Sequence, residues 1–205
     1  MKKSSIFILA FTFIFAVSCK KDAKESENVN DTNTEAVSSN NETKNEASKA
    51  KTEGEIKKIA VPLQSKSDSN VTGNVIFKEE KGVVSMIAVV SGLSEGEHAI
   101  HLHEKADCSS ADGKSTGGHW NPTAQPHGKW GAKEGYHKGD IGNFTANEKG
   151  QGTISFTTNE WCIGCGDPAK DIVGKAVIVH QGTDDFTSQP TGAAGGRVSC
   201  GGIIQ

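Results

Sequence analysis

From Glu55 to Gln205 the apolar residues come in short alternating runs, each cut off by glycine, asparagine or charged residues. That pattern confines the segment to an all-β fold. Val71–Phe77 and Val83–Val90 flank Lys78-Glu79-Glu80-Lys81-Gly82 and read as a hairpin. Asn143–Ala146 and Thr153–Thr157 flank residues 147–152 in the same way. Ile56–Val61, His98–His103, Ile172–His180 and Arg197–Ile204 bring the expected number of strands to about eight. Glycine is abundant, at 24 residues, and aromatic residues make up only 6%, a balance that suits turns better than helices. The expectation is a Greek-key antiparallel sandwich or flattened barrel, one domain over residues 55–205 with no internal repeat. Two connections, 104–140 and 181–196, are too long to be simple turns, and loops of that length in a compact domain are usually functional.

The first 54 residues belong to a different class. Lys2 and Lys3 precede an apolar run, Ile6–Val17, that is too short for a permanent membrane span. The run ends at Ala16-Val17-Ser18-Cys19, small residues directly before a cysteine, and this resembles a bacterial lipobox with Ala16 where Leu is more usual. Residues 1–18 are then a lipoprotein signal peptide, and Cys19 is the lipidated residue. An ordinary secretory signal with an incidental cysteine is the alternative, and either one exports the protein. Residues 19–54 are rich in Asn, Ser, Thr, Lys and Glu, with no aromatic residue. Such a segment cannot bury enough apolar surface to offset its ordering entropy, so it reads as a disordered tether. As a flexible coil it would span on the order of 30 Å.

Net charge is −3, which lacks the basic patch a nucleic-acid partner requires. All seven histidines lie between His98 and His180. His101-Leu102-His103 puts two imidazoles on one face of an extended segment, because side chains alternate across a strand. An H-x-H pair alone is weak evidence. The 104–140 loop adds His119, His127, His137 and Asp140, three imidazoles and a carboxylate, which are the donors of a closed tetrahedral zinc site. A polar surface loop with incidental histidines is the competing reading. His180 ends the apolar run 172–179, where a histidine breaks the pattern. His98 lies three residues before His101, which puts it on the opposite face and suggests a structural, hydrogen-bonded role.

Gly96-Glu97-His98-Ala99-Ile100-His101-Leu102-His103-Glu104, Gly118-His119-Trp120-Asn121-Pro122 and His137-Lys138-Gly139-Asp140-Ile141-Gly142-Asn143 resemble, in order, the signatures of the copper/zinc superoxide dismutase family. Val177-Ile178-Val179-His180 and Gly195-Gly196-Arg197-Val198-Ser199-Cys200-Gly201 extend the similarity over residues 55–205. The resemblance implies copper on His101, His103, His119 and His180, and zinc on His119, His127, His137 and Asp140, with His119 bridging the two metals. It implies that Asp184 orients one copper ligand and one zinc ligand, with Asp185 as the alternative residue. It further implies an oxidoreductase that turns superoxide into oxygen and hydrogen peroxide by alternate reduction and reoxidation of the copper. His119 would take and return a proton, and Arg197 would guide the anion. The 181–196 loop lacks the run of charged residues found in cytosolic eukaryotic members and is similar to the shorter bacterial type. A monomer and a homodimer both fit. Location on the bacterial cell envelope, facing the periplasm or the cell surface, follows from the anchor.

The resemblance also implies a disulfide between Cys108 and Cys200. Cys162-Ile163-Gly164-Cys165 departs from the family pattern, and reads either as a local disulfide or as a redox-active or copper-handling pair. A non-catalytic copper-binding or copper-delivery domain on the same fold is the alternative to the enzyme, since fold does not set function. An adhesion domain leaves the histidines without a reason. A zinc hydrolase needs an open coordination position, which a four-ligand set lacks.

Overall fold

In the computed structural model, which describes residues 55–205, eight strands follow one another with a single short 3-10 turn, Lys114–Thr116, between them. They are β1 (Lys57–Ser65), β2 (Thr72–Glu80), β3 (Val83–Ser91), β4 (Gly96–His103), β5 (Gly142–Ala146), β6 (Gly152–Thr158), β7 (Ala176–His180) and β8 (Arg197–Gly202). The signal, Cys19 and tether expected in residues 1–54 lie outside the described residues. The strands close into a barrel in the order β1-β2-β3-β6-β5-β4-β7-β8, with every neighbour antiparallel. The crossovers at β3–β6 and β4–β7 are the Greek-key connections of an antiparallel barrel.

Period-two alternation decides what each strand buries. Val61, Leu63, Val75, Phe77, Val84, Met86, Ala88 and Val90 fill the interior from β1, β2 and β3. Ile100 and Leu102 meet them from β4, and Val177 and Val179 from β7. Each of these larger side chains contributes about 1.5–3 kcal/mol by leaving water. Alternation sends His101, His103, Ala176, Ile178 and His180 the other way, to the outside of the barrel wall. They are nevertheless buried, because the 104–140 loop lies over that wall.

Three elements differ from the sequence expectation. The first hairpin turns on two residues, not five, since pairing runs through to Glu80↔Val83. Lys81 and Gly82 both take positive φ, at 53° and 76°, the requirement of a type I′ turn whose twist matches the strands. The second hairpin opens after one pair, Ala146↔Gly152, because β5 goes on with β4 and β6 with β3. The run 172–180 is strand only from Ala176. Ile172 is buried, but its N–H is bonded to Cys162 O at 3.1 Å, and Gly174, at φ 85°, turns the chain into β7.

The 104–140 loop is sewn to β4 by backbone bonds. Trp120 N–H reaches Leu102 O at 2.8 Å, and Leu102 N–H reaches Gly139 O at 2.9 Å. Gly139 is needed here, because a Cβ would run into the backbone of Leu102 and Trp120. At the other end of the loop the Cys108–Cys200 disulfide ties it to β8, with Cα atoms 5.9 Å apart. Trp130 stacks among Tyr136, Phe156 and Trp161, and Trp161 Nε1–H donates to Lys138 O at 2.8 Å.

Candidate metal centre

Two donor sets come together on the outer face of β4 and β7. His101, His103, His119 and His180 form one, and His119, His127, His137 and Asp140 the other, with ligand atoms of each set within 4.8 Å of one another. His119 belongs to both. Its ring centroid lies 3.9 Å from that of His101 and 5.3 Å from that of His127. β4 presents His101 and His103, β7 presents His180, and the loop supplies the rest. An isolated bridge between His103 and His119 places the loop residue beside the strand residues.

Five of the six rings are held by one nitrogen. His101 Nε2 bonds to Asp184 Oδ2 at 2.8 Å, and His103 Nδ1 donates to Gly117 O at 2.9 Å. His180 Nδ1 points to Gly195 O at 3.4 Å, and His127 Nε2 bonds to Asp184 Oδ1 at 2.9 Å. His119 Nδ1 bonds to Asp140 Oδ1 at 2.8 Å. The other nitrogen is left over. His101 Nδ1, His103 Nε2, His119 Nε2, His127 Nδ1, His137 Nδ1 and His180 Nε2 are buried without a hydrogen-bond partner. His127 Nδ1 lies only 3.0 Å from Asp140 Oδ2, yet not in hydrogen-bond alignment. Buried polar atoms are rarely left unpaired. Six of them converging in two groups are what a pair of cations would satisfy.

The charges agree with the geometry. Burial, helped by neighbouring imidazoles, pushes His103 and His180 well below the ordinary histidine range, so both are neutral lone-pair donors. Burial also brings His119 down to about 4, against the pull of Asp140. At His127 burial again disfavours charge, but the hydrogen bond to Asp184 and the nearby Asp140 carboxylate outweigh it and raise the ring to about 9. Asp140 and Asp184 are themselves buried, which would raise them, but bonds from their histidine partners hold both far below the usual carboxylate range. Asp140 Oδ2 also accepts the N–H groups of His137 at 2.7 Å and Gly128 at 3.2 Å.

The carboxylate between the two donor sets is Asp184. Asp185 is exposed and spends its oxygens on Thr187 N–H, Ser188 N–H and Ser188 Oγ–H in its own turn. His98 is buried on the opposite face, its Nδ1–H donating to His180 O at 3.0 Å and its Nε2 resting against Ser94. Arg197 opens β8, where it pairs with His180, and its Nη1 donates to Gly113 O at 2.9 Å and Thr116 Oγ1 at 3.0 Å. Cys162 and Cys165 form a second disulfide, in a turn outside either donor set.

Three residues missed by sequence reasoning complete the site. The Asn143 side-chain amide clamps the backbone of Asp184 at two points, both 2.8 Å. Gln189 does the same for His127, accepting its N–H at 2.8 Å and donating to its carbonyl at 2.9 Å. Gly192, at φ 66°, leaves room for Asp184 and His127, with which a Cβ would collide. Gln189 carries no sequence signal, because an uncharged amide 62 residues away from its partner looks like any loop residue.

The family model described as copper/zinc superoxide dismutase (SODC) matches residues 71–203. This chain belongs to the copper/zinc superoxide dismutase family. A crystal structure of a double mutant of a SOD-like protein from Bacillus subtilis is similar, with a TM-score of 0.63 at 27% identity, covering 71% of this chain and 97% of that one. Membership in the dismutase family implies copper and zinc, and the donors fit them. Four imidazoles suit copper, and three imidazoles with a carboxylate suit a closed tetrahedral zinc.

Proposed function

We propose that this dismutase-family protein converts superoxide to oxygen and hydrogen peroxide, with copper on His101, His103, His119 and His180 and zinc on His119, His127, His137 and Asp140. The observation that carries this reading is the set of six buried, unpartnered ring nitrogens that face each other across His119. Bound copper supplies a one-electron couple, able to take an electron from one superoxide and return it to a second. The chain's own residues do the rest. Asp184 fixes the rings of His101 and His127 together, so that one set cannot shift without the other. His119 turns Nε2 to one set and Nδ1 to the other, which makes it the ring placed to exchange a proton at Nε2. Arg197 attracts the anion. Burial lowers its guanidinium and Asp112 opposes that, but it stays cationic, and its charge is felt at His103 and His180. Only Nη1 is tied to the loop, and the other N–H donors have no partner among the described residues.

The same reading puts the protein outside the cytoplasm. Disulfides Cys108–Cys200 and Cys162–Cys165 favour an oxidising compartment. The lipobox-like sequence ending at Cys19 supports a lipid anchor on the bacterial cell envelope.

The test is superoxide disproportionation by protein loaded with copper and zinc, beside a His180→Ala variant. Activity should follow copper content and fall by more than about 100-fold in the variant. A folded, fully loaded protein without activity would sink the proposal and favour a copper-binding or copper-delivery domain.

A further inference from the structure

Cys162 and Cys165 take no part in the metal centre, and their surroundings set them apart from the other disulfide. Cys108–Cys200 spans 92 residues, and Cys200 is fully buried under the 104–140 loop. Cys162–Cys165 spans only 3, so the ring it closes removes little entropy from the unfolded chain.

The turn that carries it is already held without sulfur. Cys162 N–H donates to Lys170 O at 2.9 Å, and Cys162 O accepts Ile172 N–H at 3.1 Å. The Asp171 carboxylate accepts the N–H groups of Gly164 at 2.9 Å and Gly166 at 2.8 Å, the residues on either side of Cys165, and that of Val173 at 3.0 Å. Ile163 donates to Glu79 Oε2 at 2.8 Å and accepts Lys57 Nζ at 2.7 Å. None of these bonds depends on the sulfur–sulfur bond, so the two thiols of the reduced form stay side by side. Asp171, its oxygens engaged by three backbone N–H groups, is a brace for the turn and not a third metal ligand.

The two sulfurs differ in access. Cys162 is 7% exposed behind the Trp161 packing, whereas Cys165 is exposed. The Lys57 ammonium is held on the Ile163 carbonyl between them and lies 3.8 Å from Glu79 Oε2. We propose that Cys162–Cys165 is a thiol–disulfide exchange site, open through Cys165 to a partner peptide or protein that carries a dithiol. A thiolate of the partner attacks Cys165 Sγ and forms a mixed disulfide, while the bond to Cys162 breaks and Cys162 leaves as thiolate and takes up a proton. The partner's second thiol, giving up its own proton, then attacks the partner sulfur of the mixed disulfide. Cys165 departs as thiolate and is protonated in turn. The partner is oxidised to a disulfide and the pair reduced to a dithiol, two electrons and two protons having moved.

The test uses the full chain loaded with copper and zinc, mixed with an equimolar short peptide bearing a Cys-x-x-Cys dithiol. Free thiols are alkylated at intervals and mapped by mass spectrometry, with metal content followed in parallel. Cys162 and Cys165 should be labelled together, on the order of tenfold or more faster than Cys108 and Cys200, with metal content unchanged. Equal rates for the two disulfides, or labelling only as metal and fold are lost, would overturn the proposal. Direction is tested with glutathione disulfide on Cys162→Ser and Cys165→Ser. Cys162→Ser, which keeps the exposed sulfur, should form the adduct roughly tenfold faster, and equal or reversed rates count against the site as assigned.

Discussion

His101, His103 and His180 stand on paired strands, whereas His127, His137 and Asp140 stand on a loop where side-chain bonds add to the few backbone bonds that sew it to β4. On the strand side, ladder pairs His101↔Ile178 and His103↔Ala176, with His180↔Arg197 beyond a register shift, position the candidate donors through the same pairing that builds the barrel. On the loop side, the Asp140 carboxylate, the Gln189 amide and the Asp184 carboxylate do that work one bond at a time. A ligand on a ladder is placed before any metal arrives. A ligand on a loop depends on a few contacts between residues distant in the chain, so its geometry is open to single substitutions. His119 and Asp184 are the two points at which the halves are joined.

Four changes would break or sharpen this contrast. Cys108→Ser should have the largest effect on the fold, costing roughly 4–5 kcal/mol in denaturant unfolding in the chain-entropy model. Hydrogen exchange should then rise across the 104–140 loop before it rises in β4 and β7, and a uniform rise would mean that the strand half is no better held than the loop half. His119→Ala should lower the affinity for copper and zinc together, each by more than about 100-fold. Loss of only one in competition with chelators would show that the ring is not shared. Asp184→Asn keeps an acceptor for one ring but turns an amide donor toward the other. Zinc affinity should drop about 10–100-fold, with a smaller loss at copper, because ladder pairing still holds His101. Gln189→Ala is the smallest and the most selective change. It removes two neutral hydrogen bonds on the His127 backbone, about 1–3 kcal/mol together. Zinc affinity should fall roughly tenfold while the spectrum of bound copper stays as it was, and an equal change at both metals would count against separate support of the halves.

Much of this was legible in the residues. Strand positions could be read because burial on one face imposes a period of two, and the error at residues 172–175 arose because a buried turn is as apolar as a strand. His101 and His103 were readable as a same-face pair for that reason. His98 was separable from them because parity puts it on the Ile100 and Leu102 side. The two-residue turn at Lys81-Gly82 was not read, since Lys81 has no composition signal for positive φ.

The amino-acid sequence by itself determined the barrel, the ligand candidates and the two loops, because these depend on local alternation and on residue type. Only the tertiary structure decided that Asn143 and Gln189 clamp the backbone of Asp184 and His127, and that Asp171 braces the Cys162–Cys165 turn. Those choices rest on hydrogen bonds whose direction is set by where the folded loops bring each group. Ordinary loop amides and carboxylates look alike until the chain has closed around them.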